Sequence, residues 1–138
     1  MKNPENSMLP DRIGALIIKD KKLLLVTGYE EKFWWTPGGK IEEGETPEAC
    51  LKRELFEELG IDLKSMKEFF TMKGSNEALG EEQTVHYYLA DYSGDIIPKE
   101  EITKTRWFSK QDFLNKEPRA SKKLMNRVIP KLIEAGLL

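Results

Sequence analysis

Apolar residues open the chain in two short runs that are rich in Leu and β-branched residues. The runs cover Ile13 to Ile18 and Leu23 to Val26, and the charged segment Lys19 to Lys22 separates them. Two apolar runs joined by a short polar turn are typical of a β-hairpin. The pattern therefore predicts that the fold begins with two paired strands.

A third, shorter strand is predicted for the aromatic residues Phe33 to Trp35. It ends at Pro37-Gly38-Gly39, where two glycines permit backbone angles that other residues avoid. Side chains alternate along a strand, so Phe33 and Trp35 share one face and Trp34 takes the other. The glycine pair then leads towards a helix.

The apolar positions take a helical spacing between residues 49 and 59. Three leucines recur every fourth residue and share one helix face, namely Leu51, Leu55 and Leu59. Thr46 suits the N-cap, Pro47 the first helical position, and Gly60 the position that ends a helix. The segment predicts a helix that packs against the sheet through its leucines.

Two longer strands are predicted in the second half of the chain, over Lys67 to Lys73 and Thr84 to Tyr92. Both segments are rich in the aromatic and β-branched residues that favour strands. Between them, Gly74 to Gln83 is polar and contains two glycines. This stretch predicts a loop that could cover a site.

Two helices are predicted near the C-terminus. Ser109 to Asp112 matches a capping box for a short helix, and Ser121 to Ala135 has an amphipathic pattern that Pro130 is expected to bend. The inward positions of the longer helix are Leu124, Val128, Leu132 and Ile133. An opening hairpin, a helix, further strands and a final helix predict an α/β fold with a mixed sheet between helical layers.

Composition agrees with one ordinary globular domain over residues 1–138. Hydrophobic residues make up 39% of the chain and charged residues 33%, which is usual for globular proteins. The net charge of −2 gives no electrostatic reason to expect binding to long nucleic acid. One group of basic residues near the final helix is interpreted as a solvated helix face. It consists of Arg119, Lys122, Lys123, Arg127 and Lys131.

Cys50 is the single cysteine of the chain, which excludes an intramolecular disulfide and favours a reducing, cytoplasmic location. Residues 1–12 lack the apolar core of a signal peptide, and no apolar run approaches the length that spans a bilayer. We therefore expect a cytoplasmic protein that does not bind membranes. Monomer and homodimer both stay open.

Three glutamates cluster on the predicted central helix. Glu54, Glu57 and Glu58 stand at i, i+3 and i+4, within an arc of about 100°. Like charges at this spacing cost about 0.2–0.5 kcal/mol per pair, so something positive should offset them. Clustered hard oxygen ligands suit Mg²⁺ or Mn²⁺. Taken alone, the triplet is also typical of a solvated acidic face.

A longer pattern surrounds these glutamates. Gly39 is followed after five residues by Glu45 and after seven more by residues 53–61, Arg-Glu-Leu-Phe-Glu-Glu-Leu-Gly-Ile. This spacing resembles the Nudix box at every defined position, and residues 35–39 before it extend the resemblance. It implies the Nudix α/β/α sandwich and metal-dependent hydrolysis of a phosphoanhydride bond in a nucleoside diphosphate derivative.

The resemblance also implies roles for single residues. It makes Glu54, Glu57 and Glu58 both catalytic residues and metal ligands, and the Gly39 carbonyl a further ligand. Two other box residues, Glu45 and Arg53, look structural, bracing the loop against the helix and orienting the glutamates. The implied cofactor is Mg²⁺, with Mn²⁺ as an alternative.

An additional acidic residue is expected beyond the box. Glu101 is the candidate, with Glu100 and the pair Glu81-Glu82 as competitors. Either Glu54 or Glu101 could take the proton of the attacking water, and the sequence does not choose between them.

Candidates for substrate binding lie outside the metal ligands. Phe33 and Trp35 precede the glycine loop, where an aromatic face can stack on a nucleobase, and Lys40 follows it. His86 shares a strand face with Thr84 and is a further candidate, although a lone strand histidine is more often structural.

The chain is small, and outside the box it lacks the residues that mark ADP-ribose pyrophosphatases and dinucleoside polyphosphate hydrolases of the family. Its resemblance therefore favours a MutT-like enzyme acting on a nucleoside triphosphate. The substrate could be an oxidised purine nucleotide such as 8-oxo-dGTP, whose hydrolysis gives the monophosphate and pyrophosphate. One departure counts against this, because Thr27 to Tyr29 lacks a basic residue often found there, unless Lys32 replaces it. The alternatives are ADP-ribose, dinucleoside polyphosphates and a non-catalytic nucleotide-binding domain. An RNA 5′-end substrate is disfavoured because no basic channel is evident.

Overall fold

The computed structural model describes residues 9–76 and 81–138. Within these ranges the strands are β1 (Arg12–Leu16), β2 (Ile18–Lys19), β3 (Lys22–Gly28), β4 (Gly38–Lys40), β5 (Asp62–Asn76), β6 (Glu81–Ser93) and β7 (Ile102–Ser109). The helices are α1 (Pro47–Leu59), α2 (Lys110–Asn115) and α3 (Ile129–Glu134), and a π-helical turn, Leu124–Val128, directly precedes α3.

The strands form two sheets that lie between helical layers. One has the order β4-β1-β6-β5, in which β1 and β6 are parallel and the other neighbours antiparallel, and the second is antiparallel with the order β2-β3-β7. Alternate residues of β3 enter two cores. Leu24 and Val26 pack with α1, whereas Leu23 and Leu25 pack with the C-terminal helices. The predicted α/β class with a mixed sheet between helical layers is confirmed.

Helix α1 begins and ends where the sequence predicts. The Thr46 hydroxyl accepts the N–H of Ala49 at 3.1 Å, Pro47 is the first helical residue, and Gly60 ends the helix at a φ of 67°. The leucines at every fourth position are fully buried, namely Leu51, Leu55 and Leu59. Burial stabilises the fold by about 1.5–3 kcal/mol for each such side chain, and it fixes the rotation of α1 about its axis.

The predicted opening hairpin is wrong for most of the first run, because the chain changes sheets at Ile17. Strand β1 pairs with β4 and β6, while β2 pairs with β3. The turn residues Asp20 and Lys21 have φ of 52° and 59°, as in the two-residue turns that join hairpin strands. The apolar pattern locates the strands and the turn, but not the partner of each strand.

The predicted loop Gly74 to Gln83 is wrong over most of its length. Strands β5 and β6 continue into it and pair from Gly74 opposite Gln83 to Asn76 opposite Glu81. The remainder, residues 77–80, lies outside the described residues. Polar side chains do not prevent pairing, because the two strands satisfy each other's backbone groups.

Two further strands were not predicted. Strand β4 contains two glycines, which disfavour strands. Strand β7 buries Ile102 and Phe108 but exposes Lys104 and Arg106, and its mixed composition conceals a half-buried strand. Thr103 and Thr105, the β-branched residues between Ile102 and Phe108, were the sequence signal that could have predicted strand β7.

The C-terminal helix starts as a π-helical turn instead of one bent α-helix. The N–H of Ile129 bonds to the carbonyl of Leu124, five residues back, and the next residue, Pro130, has no N–H to donate. Leu124, Val128 and Leu132 are buried as predicted. Across the described ranges, no helix is long and apolar enough to cross a membrane.

Replacing Gly60 with alanine tests how firmly the end of α1 is set. Gly60→Ala is expected to lower the free energy of unfolding by about 1 kcal/mol, because a Cβ resists a φ of 67°. Denaturant unfolding measures the change. Gly74 is the matched control, since a Cβ there would have Nη1 of Arg127 as its neighbour at 4.0 Å. Gly74→Ala should change stability by less than about 0.5 kcal/mol, and equal losses in both variants would contradict the assignment.

Candidate active site

The glycine pair of β4 brings the main chain into contact with two glutamates of α1. The N–H of Gly38 donates to Oε1 of Glu58 at 2.9 Å. A Cβ on Gly39 would lie 2.5 Å from the carboxyl carbon of Glu54. Any side chain at position 39 would therefore displace that carboxylate, whereas a Cβ on Gly38 would meet the main chain, 2.1 Å from the carbonyl oxygen of Ile13.

Arg53 links the loop after β4 to the glutamates of α1. Its Nε and Nη2 donate to the two carboxylate oxygens of Glu45 at 2.7 and 3.0 Å. Its Nη1 donates to Glu54 at 2.9 Å and to Glu57 at 3.2 Å, and its Nη2 also reaches the carbonyl oxygen of Lys40 at 3.3 Å. These contacts are the ones that Glu45 and Arg53 would need in order to brace the loop against the helix and orient the glutamates, the role predicted for them.

The carboxyl groups of the cluster differ in their surroundings. Hydrogen bonds from Arg53 lower the pKa of Glu45 to about 2. Burial raises the pKa of Glu54, and the charge of Arg53 opposes this rise. Burial also raises the pKa of Glu58 to about 8, and the nearby charges of Glu54 and Glu101 add to the rise. Glu58 is only 4% exposed, so a positive partner would favour its ionised form.

Glu101 is the candidate for the additional acid whose charge reaches Glu58. The turn before it is held against α1, because the N–H of Lys99 donates to the carbonyl oxygen of Glu58 at 2.8 Å. Glu82 is instead the second residue of β6 and pairs opposite Ser75. Of these two acids, Glu101 is therefore the one whose charge is within electrostatic range of Glu58.

The donor atoms present fit a divalent cation. Glu54, Glu57, Glu58 and the Gly39 carbonyl offer the hard oxygen ligands that Mg²⁺ and Mn²⁺ prefer. Repulsion around the buried Glu58 is what a cation would offset. Among the described side chains, however, no three acidic, histidine or cysteine groups are arranged to enclose a metal ion. Arg53 bridges Glu54 and Glu57 instead.

A hollow of about 230 Å³ opens beside the glycine pair. We call it the β1 hollow, because β1 forms its floor together with β6 and the start of the C-terminal helix. The side chains that line it include Arg12, Trp35, Thr36, Gln83, Val85, Tyr87, Ser121, Lys123 and Leu124. Both charged members of this lining, Arg12 and Lys123, are basic. The β1 hollow therefore suits an anionic ligand that also carries an aromatic group.

The aromatic segment before the glycine pair divides as predicted. Trp35 lines the β1 hollow, and the 44% exposed Phe33 meets its ring edge-on at 5.7 Å between centroids. Trp34 points the other way and packs edge-on against Phe108, with 5.5 Å between the ring centroids. Two of the three aromatic rings are therefore available on the side of the hollow.

His86 does not line the β1 hollow. Its neighbours Val85 and Tyr87 do, and alternation along β6 turns His86 to the opposite face. There its Nε2 contacts Asp11 at 2.8 Å and its Nδ1 contacts Thr71 at 3.1 Å. The structure therefore favours a structural role for His86, contrary to the predicted substrate contact.

The predicted substrate contact Lys40 joins the site through its main chain. Its carbonyl oxygen accepts from Arg53, and its Cα is opposite Arg12 in the sheet. Lys40 is exposed, and it does not line the β1 hollow.

Four polar residues of the β1 hollow escaped the sequence analysis, namely Arg12, Tyr87, Ser121 and Lys123. They come from three distant parts of the chain, which the β1–β6 pairing and the docking of the final helix bring together. Alternation along β6 separates Tyr87 from His86, but it does not show which face meets a ligand. Lys123 belonged to the basic group interpreted as solvated.

The comparisons with known proteins agree with this geometry. The family profile of the NUDIX domain matches residues 8–131. The RNA pyrophosphohydrolase of Actinobacillus succinogenes is 39% identical over 62 residues, 44% of this chain and 32% of that protein. The oxidized purine nucleoside triphosphate hydrolase of Mus musculus is 31% identical over 101 residues, 68% of this chain and 62% of that protein. The chain thus spans less than two thirds of the length of either relative.

A solved structure shares the arrangement of sheets and helices. The MutT NUDIX hydrolase from Burkholderia pseudomallei superposes with a TM-score of 0.74 at 27% sequence identity, covering 88% of this chain and 96% of that one. The family profile spans nearly the whole chain, and the complete box occupies the contact between β4 and α1. The chain therefore belongs to the NUDIX domain family.

Proposed function

We propose that this chain hydrolyses a phosphoanhydride bond in a nucleoside diphosphate derivative, with Mg²⁺ or Mn²⁺ as cofactor. The observation that carries the proposal is the position of the α1 glutamates, which Arg53 and the glycine pair hold directly beside the β1 hollow. A ligand with its aromatic part in the hollow can thus extend its phosphates towards the carboxylates.

Glu54, Glu57, Glu58 and the Gly39 carbonyl would hold the cation. When bound, it neutralises phosphate charge and lowers the pKa of a coordinated water. The protein's own contribution is to fix the carboxylates before the ligand arrives, since Arg53 orients two of them and Gly38 the third. Such preorganisation reduces the cost of reaching the reactive geometry.

A carboxylate must also accept the proton of the attacking water. Glu54 is the better placed of the two candidates, because its carboxyl lies against Gly39 and is held by Arg53. Glu101 is exposed and reaches the cluster through its charge on Glu58. We therefore assign the proton acceptor to Glu54 and a supporting electrostatic role to Glu101.

The preferred substrate is a nucleoside triphosphate, cleaved to the monophosphate and pyrophosphate. A hollow of about 230 Å³ with Trp35 and Tyr87 in its lining offers aromatic surface for one nucleobase. The mouse relative is named for oxidised purine nucleoside triphosphates, which supports an oxidised purine such as 8-oxo-dGTP. ADP-ribose and dinucleoside polyphosphates are the alternatives.

A triphosphorylated RNA 5′ end is a second candidate, which one structural observation favours. A separate hollow of about 470 Å³ is lined by three basic residues, Lys116, Arg119 and Lys122, without an acidic residue in its lining. It adjoins the segment that carries Ser121 and Lys123 of the β1 hollow. A following nucleotide could place its phosphate there. The bacterial relative is named for RNA.

A hydrolysis screen separates these substrates. The purified chain is incubated with Mg²⁺ or Mn²⁺ and with nucleoside triphosphates, 8-oxo-dGTP, ADP-ribose, diadenosine tetraphosphate or a 5′-triphosphorylated RNA oligonucleotide. Release of pyrophosphate from nucleoside triphosphates is the expected result. A higher kcat/KM for the RNA would replace the preferred substrate by the second candidate.

Glu57→Gln is expected to lower kcat/KM by about a hundredfold or more, because it removes a charged metal ligand at constant size. Steady-state kinetics measure the loss. Glu48→Gln is the matched control on the same helix, since Glu48 is exposed in its first turn, and it should retain wild-type activity. If the wild type releases no phosphate or pyrophosphate from any substrate in the screen, the chain is a non-catalytic nucleotide-binding domain instead.

The buried acid predicts how stability depends on pH in the metal-free protein. Because the pKa of Glu58 rises from 4.5 to about 8 on folding, the unfolded chain releases the proton first as pH increases. The stability that Glu58 contributes should therefore be fully present below pH 4.5 and be lost as pH rises to about 8. Urea unfolding with a chelator measures this slope, which Glu58→Gln should reduce.

The same titration predicts a stronger effect of metal at higher pH. Mg²⁺ binds the ionised carboxylates, so it should stabilise the wild type more at pH 8 than at pH 5. Urea unfolding with and without Mg²⁺ at the two values tests this. An equal effect at both would contradict the involvement of Glu58 in metal binding.

A further inference from the structure

Arg12 stands where the carboxylate face of α1 meets the β1 hollow. As the first residue of β1, its Cα is opposite Lys40 of β4 and Val85 of β6. It lines the hollow together with Gly38 and Gly39. Its position in the sheet therefore fixes it next to the glycine loop.

The charge of Arg12 acts on both sides of this boundary. Burial raises the pKa of Glu54 and of Glu58, and the charge of Arg12 opposes part of that rise. It also lowers the pKa of Tyr87, which lines the hollow and whose pKa burial raises to about 12. A single guanidinium is thus within electrostatic reach of the carboxylates and of the wall of the hollow.

The guanidinium of Arg12 has no protein partner among the residues that the structure describes. It forms no hydrogen bond or ion pair with any residue in the ranges 9–76 and 81–138, and the residue is exposed. Arg53 differs, because Nε, Nη1 and Nη2 all donate to Glu45, Glu54, Glu57 or the Lys40 carbonyl. Of these two arginines beside the glutamates, Arg53 is engaged within the protein and Arg12 is available.

We propose that Arg12 is a phosphate-binding residue that positions the substrate between the β1 hollow and the α1 carboxylates. This inference rests on the proposed function, because it assumes a nucleotide in the hollow. A guanidinium presents a planar fork of N–H donors that matches two oxygens of one phosphate. A phosphate held there leaves the base in the hollow and turns the rest of the chain of phosphates towards the glutamates.

The test measures binding without turnover. The probe is α,β-methylene-dGTP, titrated calorimetrically with Mg²⁺ into the wild type, Arg12→Ala, Arg12→Lys and Lys67→Ala. Lys67 is the control because it is an exposed cation on β5 outside the hollow. Arg12→Ala should weaken binding by about tenfold or more, Arg12→Lys should weaken it less, and Lys67→Ala should bind like the wild type. Thermal unfolding of each variant checks that the fold is intact, and Arg12→Gln replaces Arg12→Ala if the latter unfolds.

Hydrolysis of dGTP or the best substrate gives a second measure. Loss of a phosphate contact should raise KM more than it lowers kcat, whereas a general disturbance of the carboxylates should lower kcat. Wild-type affinity in Arg12→Ala, or an equal loss in Lys67→Ala, would overturn the inference while leaving the proposed function standing. Arg12-dependent binding without hydrolysis of any substrate would support the inference and overturn the proposed function. If the wild type does not bind the probe, the inference fails.

Discussion

The site depends on the contact between the end of β4 and the outward face of α1. Arg53 makes this contact rigid, because its guanidinium reaches Glu45 in the loop, Glu54 and Glu57 on the helix and the Lys40 carbonyl on the strand. Three elements thus meet at one charged group. Removing it would leave several carboxylates close together without a counter-charge, a larger disturbance than the loss of one exposed ion pair.

The glycine pair determines how close this contact can be. Gly38 has a φ of 140° and donates its N–H to Glu58, and Gly39 has no Cβ to obstruct Glu54. The burial of Glu58 follows from this approach, and its raised pKa follows from the burial. A buried acid that resists ionisation makes the site responsive to a cation, because metal and proton compete for the same oxygen atoms.

The sequence predicted what local signals determine. Helix α1 has its N-cap, its first-turn proline, its leucine spacing and its terminal glycine within fifteen consecutive residues of the chain, so its limits and buried face could be read directly. The partners of the strands could not, because pairing depends on contacts across the chain. The same run of residues can continue a hairpin or, as at Ile17, pass into another sheet. The polar residues Gly74 to Asn76 and Glu81 to Gln83 predict a loop but pair as strands, since backbone pairing does not need an apolar face.

The same limit explains why the sequence predicts the box residues but not the residues that line the β1 hollow. The box residues lie on one strand, one loop and one helix that are consecutive in the chain, so their spacing alone places them together. The β1 hollow is lined by Arg12, Tyr87 and Lys123, which come from β1, β6 and the C-terminal segment, and members of both cores border it. The local motif can therefore keep the same reacting groups while the distant residues change, and under the proposed function the substrate would be selected by the residues around Arg12.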